Sequence, residues 1–225
     1  MNIDVIIPCY NEENTIEIII LESIKHLNTK DNLLIVDDGS TDKSNFLIKN
    51  LANKFSNISL IKHEKNLGKG AAIKTALKKV KNEIVIIQDS DLEYDPGEYK
   101  KLINPILKLK ADVVYGSRFI SSGEHRVLYF WHKIGNTVIT FLSNIFTNLN
   151  LTDIEVGFKA FKSDKILKLN LREKRFGFEP EVTVKLAKQK CVFYEIFLSF
   201  IERGLLKCLF YLTAQQYIIL PPLQK

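Results

Sequence analysis

Asp89 and Asp91 flank a single serine, Ser90, directly after the apolar run at residues 84–87. Two carboxylates one residue apart at the end of a buried strand suit a hard divalent cation, Mg²⁺ or Mn²⁺. Such cations prefer oxygen and share their shell with substrate phosphates rather than taking a full protein cage. The same pattern also occurs in ordinary turns. A second pair, Asp37 and Asp38, follows the run at residues 33–36. A turn at Gly39 with Asp42 as a helix cap explains what comes after them but leaves the two carboxylates without a duty. Pro8, Tyr10 and Glu12 close the first apolar run, where a strand stop and a helix-favouring acid explain the residues equally well. Asn66 to Ala72 opens a helix whose free amides, with Lys69, could meet a phosphate, although the full P-loop spacing is absent.

These residues need elements that bring them to one place. Short β-branched runs at residues 3–7, 33–36, 58–61, 84–87 and 112–115 alternate with longer helical patterns, including amphipathic stretches at 15–27 and 44–55. Alternation of this kind predicts an α/β domain with a mostly parallel central sheet and helices on both faces. Ligands of such sheets bind at the carboxyl ends of the strands, where the polar stretches fall. Beyond a polar loop at 116–125, Ile134, Val138, Leu142, Ile145 and Leu149 recur at helical spacing, so residues 126–149 read as a helix lying over the active face. No repeat, linker or low-complexity tract divides the chain.

With 225 residues, 46% of them hydrophobic, the chain can bury one core. A formal charge of +6 attracts anionic partners. Its lysines are dispersed, without an arginine-rich run or a nucleic-acid module, which argues against nucleic acid. Cys9, Cys191 and Cys208 lack metal-ligand or redox spacing and fit a reducing cytosol. The chain runs from Met1 straight into a strand, so no export signal is expected. The apolar stretch at 205–220 is interrupted by Lys207, Gln215 and Gln216, and no membrane span is expected from it.

Taken in order, P-C-Y-N-E from Pro8, V-D-D-G-S-T-D from Val36, N-L-G-K-G from Asn66, D-S-D-L-E-Y-D-P from Asp89 and Y-G-S-R-F from Tyr115 resemble the family 2 inverting glycosyltransferases. Residues 126–132, 150–155 and 175–181 look like the dolichyl-phosphate mannosyltransferase branch, and the resemblance covers about residues 3–197. It implies a GT-A fold. It also implies that Pro8, Tyr10, Glu12, Val36 and Asp38 hold the nucleoside, while Asp89, Ser90 and Asp91 hold the metal and a nucleotide sugar of the GDP-mannose or UDP-glucose class. Lys69 joins the donor site. Arg118 would face phosphate, for which a guanidinium fork is suited, with a surface salt bridge as its plain alternative. Asp153 and Glu155 match a segment near the acceptor, where helix or loop capping explains them equally well.

The implied reaction moves a hexose onto a polyprenyl or dolichyl phosphate at the cytoplasmic face of a membrane, with Asp91, Arg118 and Asp153 as the expected catalytic groups. A phosphate monoester has a second pKa of about 6 and is ionised at neutral pH, so the reaction needs no strong general base. The aromatic stretch at 128–131, between Arg126 and Lys133, has the composition of an interfacial anchor or of core, and a membrane-protein partner fits the same reading. From 198 to 225 the likeness ends. The expected G-R-T-type loop is replaced by a stretch containing Arg203 and Lys207, which reads as a divergent or frame-shifted tail and predicts poor closure over the substrates. A hydroxyl acceptor and a non-catalytic nucleotide-sugar module are the competing readings.

Overall fold

In a computed structural model, residues 1–120 and 130–198 are described. The expectations for Arg126, Arg203, Lys207, Cys208 and the rest of 121–129 and 199–225 lie outside them.

The strands that carry the site are apolar on both sides. β1 (Ile3–Cys9), β2 (Asn32–Asp37) and β4 (Ile84–Ile87) are buried at almost every position, as expected of central strands covered by helices on both faces. Together with β3 (Ile58–Lys62), β5 (Val113–Ser117), β6 (Lys159–Lys162) and β7 (Phe193–Phe197) they form one seven-stranded sheet in the order β3-β2-β1-β4-β6-β5-β7. Every ladder is parallel except those of β6, which runs against both β4 and β5. The first five strands fall where the sequence places them. β6 and β7 are additions, because Lys-Ala-Phe-Lys carries too little apolar signal to announce a strand.

The chain steps outward through α1 (Ile16–His26) and α2 (Ser44–Lys54) to β3, then crosses back through α3 (Lys69–Leu77) to β4 beside β1. Right-handed crossovers in opposite directions put α3 on the other face from α1 and α2. The strand order therefore reverses between β1 and β4, and a crevice opens at their carboxyl ends. α4 (Tyr99–Lys108) covers β5 and β6, a short α6 (Ser163–Ile166) follows β6, and α7 (Phe178–Lys188) packs against α5 (Phe130–Thr147).

α5 is the helix that the spacing predicts, and the structure adds the direction of its faces. Its apolar stripe points away from the protein: Trp131, Val138, Phe141, Leu142, Ile145 and Phe146 are exposed. Its polar residues Asn136, Thr140 and Ser143 are the buried ones. Periodicity fixes which residues share a face, not which way that face looks.

Candidate active site

Two loops at the carboxyl ends of β1 and β2 clamp each other first. Asn11 Oδ1 accepts from Thr41 N (2.8 Å), Glu12 N donates to Ser44 Oγ (2.8 Å), and Glu13 N donates to Asp42 Oδ2 (3.0 Å). Asp42 also accepts from Ser44 N (2.9 Å) at the start of α2, although the N-cap position itself is held by Lys43 and not by Asp42 as its sequence position suggests. Asp37 turns back to accept from Ser40 N (2.9 Å) and Asn45 Nδ2 (2.6 Å). These bonds leave Pro8, Tyr10, Glu12 and Asp38 lining a cleft of about 410 Å³, together with Asn66, Lys69, Asp89, Ser90 and Asp91. Val36 does not line it. It is wholly buried in β2, in register with Pro8, and forms the floor behind the cleft.

Asp38 has a second task that its spacing does not reveal. It accepts from Leu67 N (3.0 Å), Gly68 N (2.7 Å) and His63 Nδ1 (2.6 Å), which folds the Asn66–Gly70 loop down onto the cleft. On the far side of that loop, a Cβ on Gly68 would stand 2.5 Å from the Lys174 carbonyl oxygen, and the residue has φ of 99°. Only glycine satisfies both the close approach and the left-handed backbone. The same approach brings Arg175 and Phe176 to the cleft mouth.

Asp89 and Asp91 stand at the end of β4, with Asp91 accepting from Glu93 N at 3.2 Å. Asp89 is seated against Gly157, where a Cβ would fall 1.8 Å from its Oδ2. Among the described residues no cluster of three His, Cys, Asp or Glu side chains could cage a metal. Two carboxylates facing a solvent-filled cleft are the donor set of a hard cation that completes its shell with phosphate and water. The residues present fit Mg²⁺ or Mn²⁺. Lys69 Nζ lies 2.8 Å from Asp89 Oδ1 and 2.9 Å from Glu179 Oε1. Burial raises the Asp89 carboxyl, with Lys69 pulling the other way. For Lys69 burial disfavours the charge, yet Asp89 and Glu179 outweigh it and hold the ammonium above the ordinary lysine value.

Arg118 and Asp153 form a separate cluster that does not line this cleft. Arg118 Nε and Nη2 reach the two Asp153 oxygens at 2.6 and 2.8 Å, so the fork grips a carboxylate. Asp153 is wholly buried and also accepts from Asn136 Nδ2 of α5 at 3.0 Å. Its backbone N–H and that of Thr152 donate to Glu195 of β7, and Ile154 N donates to Thr140 Oγ1 of α5. Both Asp153 oxygens are thus held inside the protein, by Arg118 and by Asn136. Glu155 is exposed.

Several contributors were not singled out for a role by the sequence: His63, Gly157, Lys159, Arg175, Phe176, Glu179 and Glu195. Glu179 and Glu181 lie in a stretch noted for its resemblance, but the two separate. Glu179 turns inward to Lys69, whereas Glu181 caps Arg172 N (2.7 Å) and Glu173 N (2.9 Å). Cys9 borders the cleft as an inert thiol, pushed up to about 12 by burial and by Asp37.

The model of the family described as glycosyl transferase family 2 matches residues 4–169. The chain belongs to that family. Among similar curated proteins, the UDP-N-acetylglucosamine–dolichyl-phosphate N-acetylglucosaminyltransferase of Methanococcus voltae is 31% identical over 82% of this chain and 80% of its own length. A dolichyl-phosphate beta-glucosyltransferase of Trichomonas vaginalis is also 31% identical, over 85% of this chain but 63% of its own length. Among solved structures, glucosyl-3-phosphoglycerate synthase of Mycobacterium tuberculosis, in complex with Mn²⁺, UDP and phosphoglyceric acid, superimposes with a TM-score of 0.71 at 20% identity. That match covers 98% of this chain and 80% of the other. At that identity the likeness establishes the fold, a GT-A-like α/β domain.

Proposed function

We propose that this family 2 glycosyltransferase transfers a hexose, with inversion, from a nucleotide sugar to a phosphate-bearing acceptor. The observation that carries the donor half is the meeting of Asp38, Lys69, Asp89 and Asp91 in one cleft at the reversal point of the sheet. Pro8, Tyr10 and Glu12 would bound the nucleoside, and Asp89 and Asp91 would hold Mg²⁺ or Mn²⁺. When bound, that ion supplies positive charge against the leaving diphosphate. Solved neighbours of the fold carry Mn²⁺ with UDP or UDP-glucose, which supports the same donor chemistry.

Two acceptors fit. The first is a polyprenyl phosphate, supported by the names of the dolichyl-phosphate relatives and by α5. That helix is about 27 Å long, carries no Asp or Glu, and turns its apolar face outward while its buried Asn136 holds the Asp153 that aims Arg118. An apolar face beside a phosphate-seeking arginine suits an acceptor whose tail stays in a bilayer. The protein would then sit peripherally at the cytoplasmic face of a membrane. No helix among the described residues is long and apolar enough to cross one. The second acceptor is a hydroxyl on a small phosphorylated compound, a reading favoured by the neighbours of the fold solved with phosphoglyceric acid.

The deciding assay offers radiolabelled UDP- and GDP-hexoses with either a polyprenyl phosphate in vesicles or 3-phosphoglycerate in solution. Label extracted into organic solvent is expected for the first reading and label retained in water for the second. Donor binding without product from either acceptor would refute transferase activity and leave a binding module.

A further inference from the structure

Lys69 stands where two different cations are required in turn. Its ammonium bridges Asp89 Oδ1 (2.8 Å) and Oδ2 (3.1 Å) to Glu179 Oε1 (2.9 Å), which uses the donors of one –NH₃⁺. The Asp89 oxygens it covers are those a divalent cation would take, and two cations on one carboxylate repel strongly in a partly buried site. Metal binding as it stands therefore requires Lys69 to leave Asp89.

Glu179 gives it somewhere to turn. Only 5% of this residue is exposed, and its Oε2 is buried with no hydrogen-bond partner. A buried carboxylate with one oxygen unsatisfied is costly, and the cost is tolerated where the group has a further task. Lys159 lies on the same charge network. It is buried at the start of β6, bonds the Val156 carbonyl, and stands 4.8 Å from the centre of the Tyr115 ring. Burial pulls the Lys159 ammonium down to about 8, with Glu179 working the other way.

We infer that Lys69 is a resident counter-ion of Asp89 that the incoming metal displaces, and that its ammonium, tethered by Glu179, then turns onto the diphosphate of the donor. The inference rests on the reading of Asp89 and Asp91 as metal ligands. Glu179 is a positioning residue: it keeps Lys69 within reach of both places. Gly70, one residue beyond, lets the 173–175 backbone close over this turn of α3, since a Cβ there would lie 2.8 Å from the Glu173 carbonyl oxygen.

The test is a Mn²⁺ titration of the purified chain followed by electron paramagnetic resonance, without nucleotide and again with saturating UDP. Lys69→Met is expected to bind Mn²⁺ alone about tenfold more tightly, because a competing charge is gone, and to bind it about tenfold more weakly with UDP, because the diphosphate has lost its partner. A gain in affinity cannot come from a damaged fold. Glu179→Gln is expected to weaken Mn²⁺ binding in the wild-type background and to have much less effect in Lys69→Met, since it acts through Lys69. Should Lys69→Met fold poorly, Lys69→Gln carries the same sign test. Unchanged or weaker Mn²⁺ binding without nucleotide in the lysine variants overturns the inference while leaving the donor site standing, provided Asp91→Ala abolishes binding. If Asp91→Ala binds Mn²⁺ as the wild type does, the metal-site reading and this inference fall together.

Discussion

The two ends of the central sheet are built from the same kind of residue and finished in opposite ways. At the amino end, Asp4 is wholly buried in β1, and its carboxylate accepts four donors: Asn32 Nδ2 (2.7 Å), Asn82 Nδ2 (2.8 Å), Lys81 N (2.6 Å) and Asn82 N (2.9 Å). At the carboxyl end, Asp89 shares one lysine with Glu179, and Glu179 keeps an oxygen without a partner. A saturated carboxylate contributes stability and has no capacity left for a ligand. An undersatisfied one costs stability and retains that capacity. The contrast separates the end that holds the fold from the end that works.

The largest effect expected is at the amino end. Asp4→Ala takes the buried acceptor from the Lys81 and Asn82 backbone N–H groups and from two asparagine side chains, and should lower unfolding free energy by about 3 kcal/mol, measured by urea denaturation, while the folded fraction keeps its donor affinity. Asp91→Ala should do the reverse: turnover falls at least about a hundredfold and the thermal midpoint stays put. Equal loss of stability in both variants would erase the distinction. Next comes Gly157→Ala, whose Cβ pushes against Asp89 Oδ2; metal affinity should fall about tenfold, as seen by calorimetric titration with Mn²⁺. The smallest effect is at Arg118→Lys, which keeps the charge but loses the fork on Asp153. Its kcat/KM for acceptor should fall about fivefold, ~1 kcal/mol, with donor binding unchanged; a matching loss in donor affinity would move Arg118 into the donor site.

How much of this was legible follows from where each signal sits. Pro8, Asp38, Asp89 and Asp91 come directly after apolar runs, and a parallel sheet must bring such positions to one edge, so their meeting follows from the sequence. Gly157, Lys159 and Glu179 carry no such mark. They reach the site through β6 and α7, and nothing local says that a strand written Lys-Ala-Phe-Lys runs backward between β4 and β5. Arg118 was legible as a cation with a fork, but its partner was not, because Asp153 reaches it across 35 residues of sequence. The stripe on α5 shows the same limit: spacing defines the helix, and only the tertiary packing of Asn136 and Thr140 turns that stripe outward.

The reversed strand β6 makes the protein modular. β5 ends at the cleft rim with Ser117, and β6 begins at the same rim, with Lys159 in register with Ile87 at the end of β4. Between them, α5 and the Asp153 loop lie outside the sheet, and the chain rejoins it at that rim. Lengthening such an excursion costs little closure entropy and shifts no ladder of the parallel half. A change in α5 or in the Asp153 loop therefore moves no strand of the parallel half, whereas Gly157 and Phe158, at the point of return, press on Asp89 and Tyr94 and tie this excursion to the donor side.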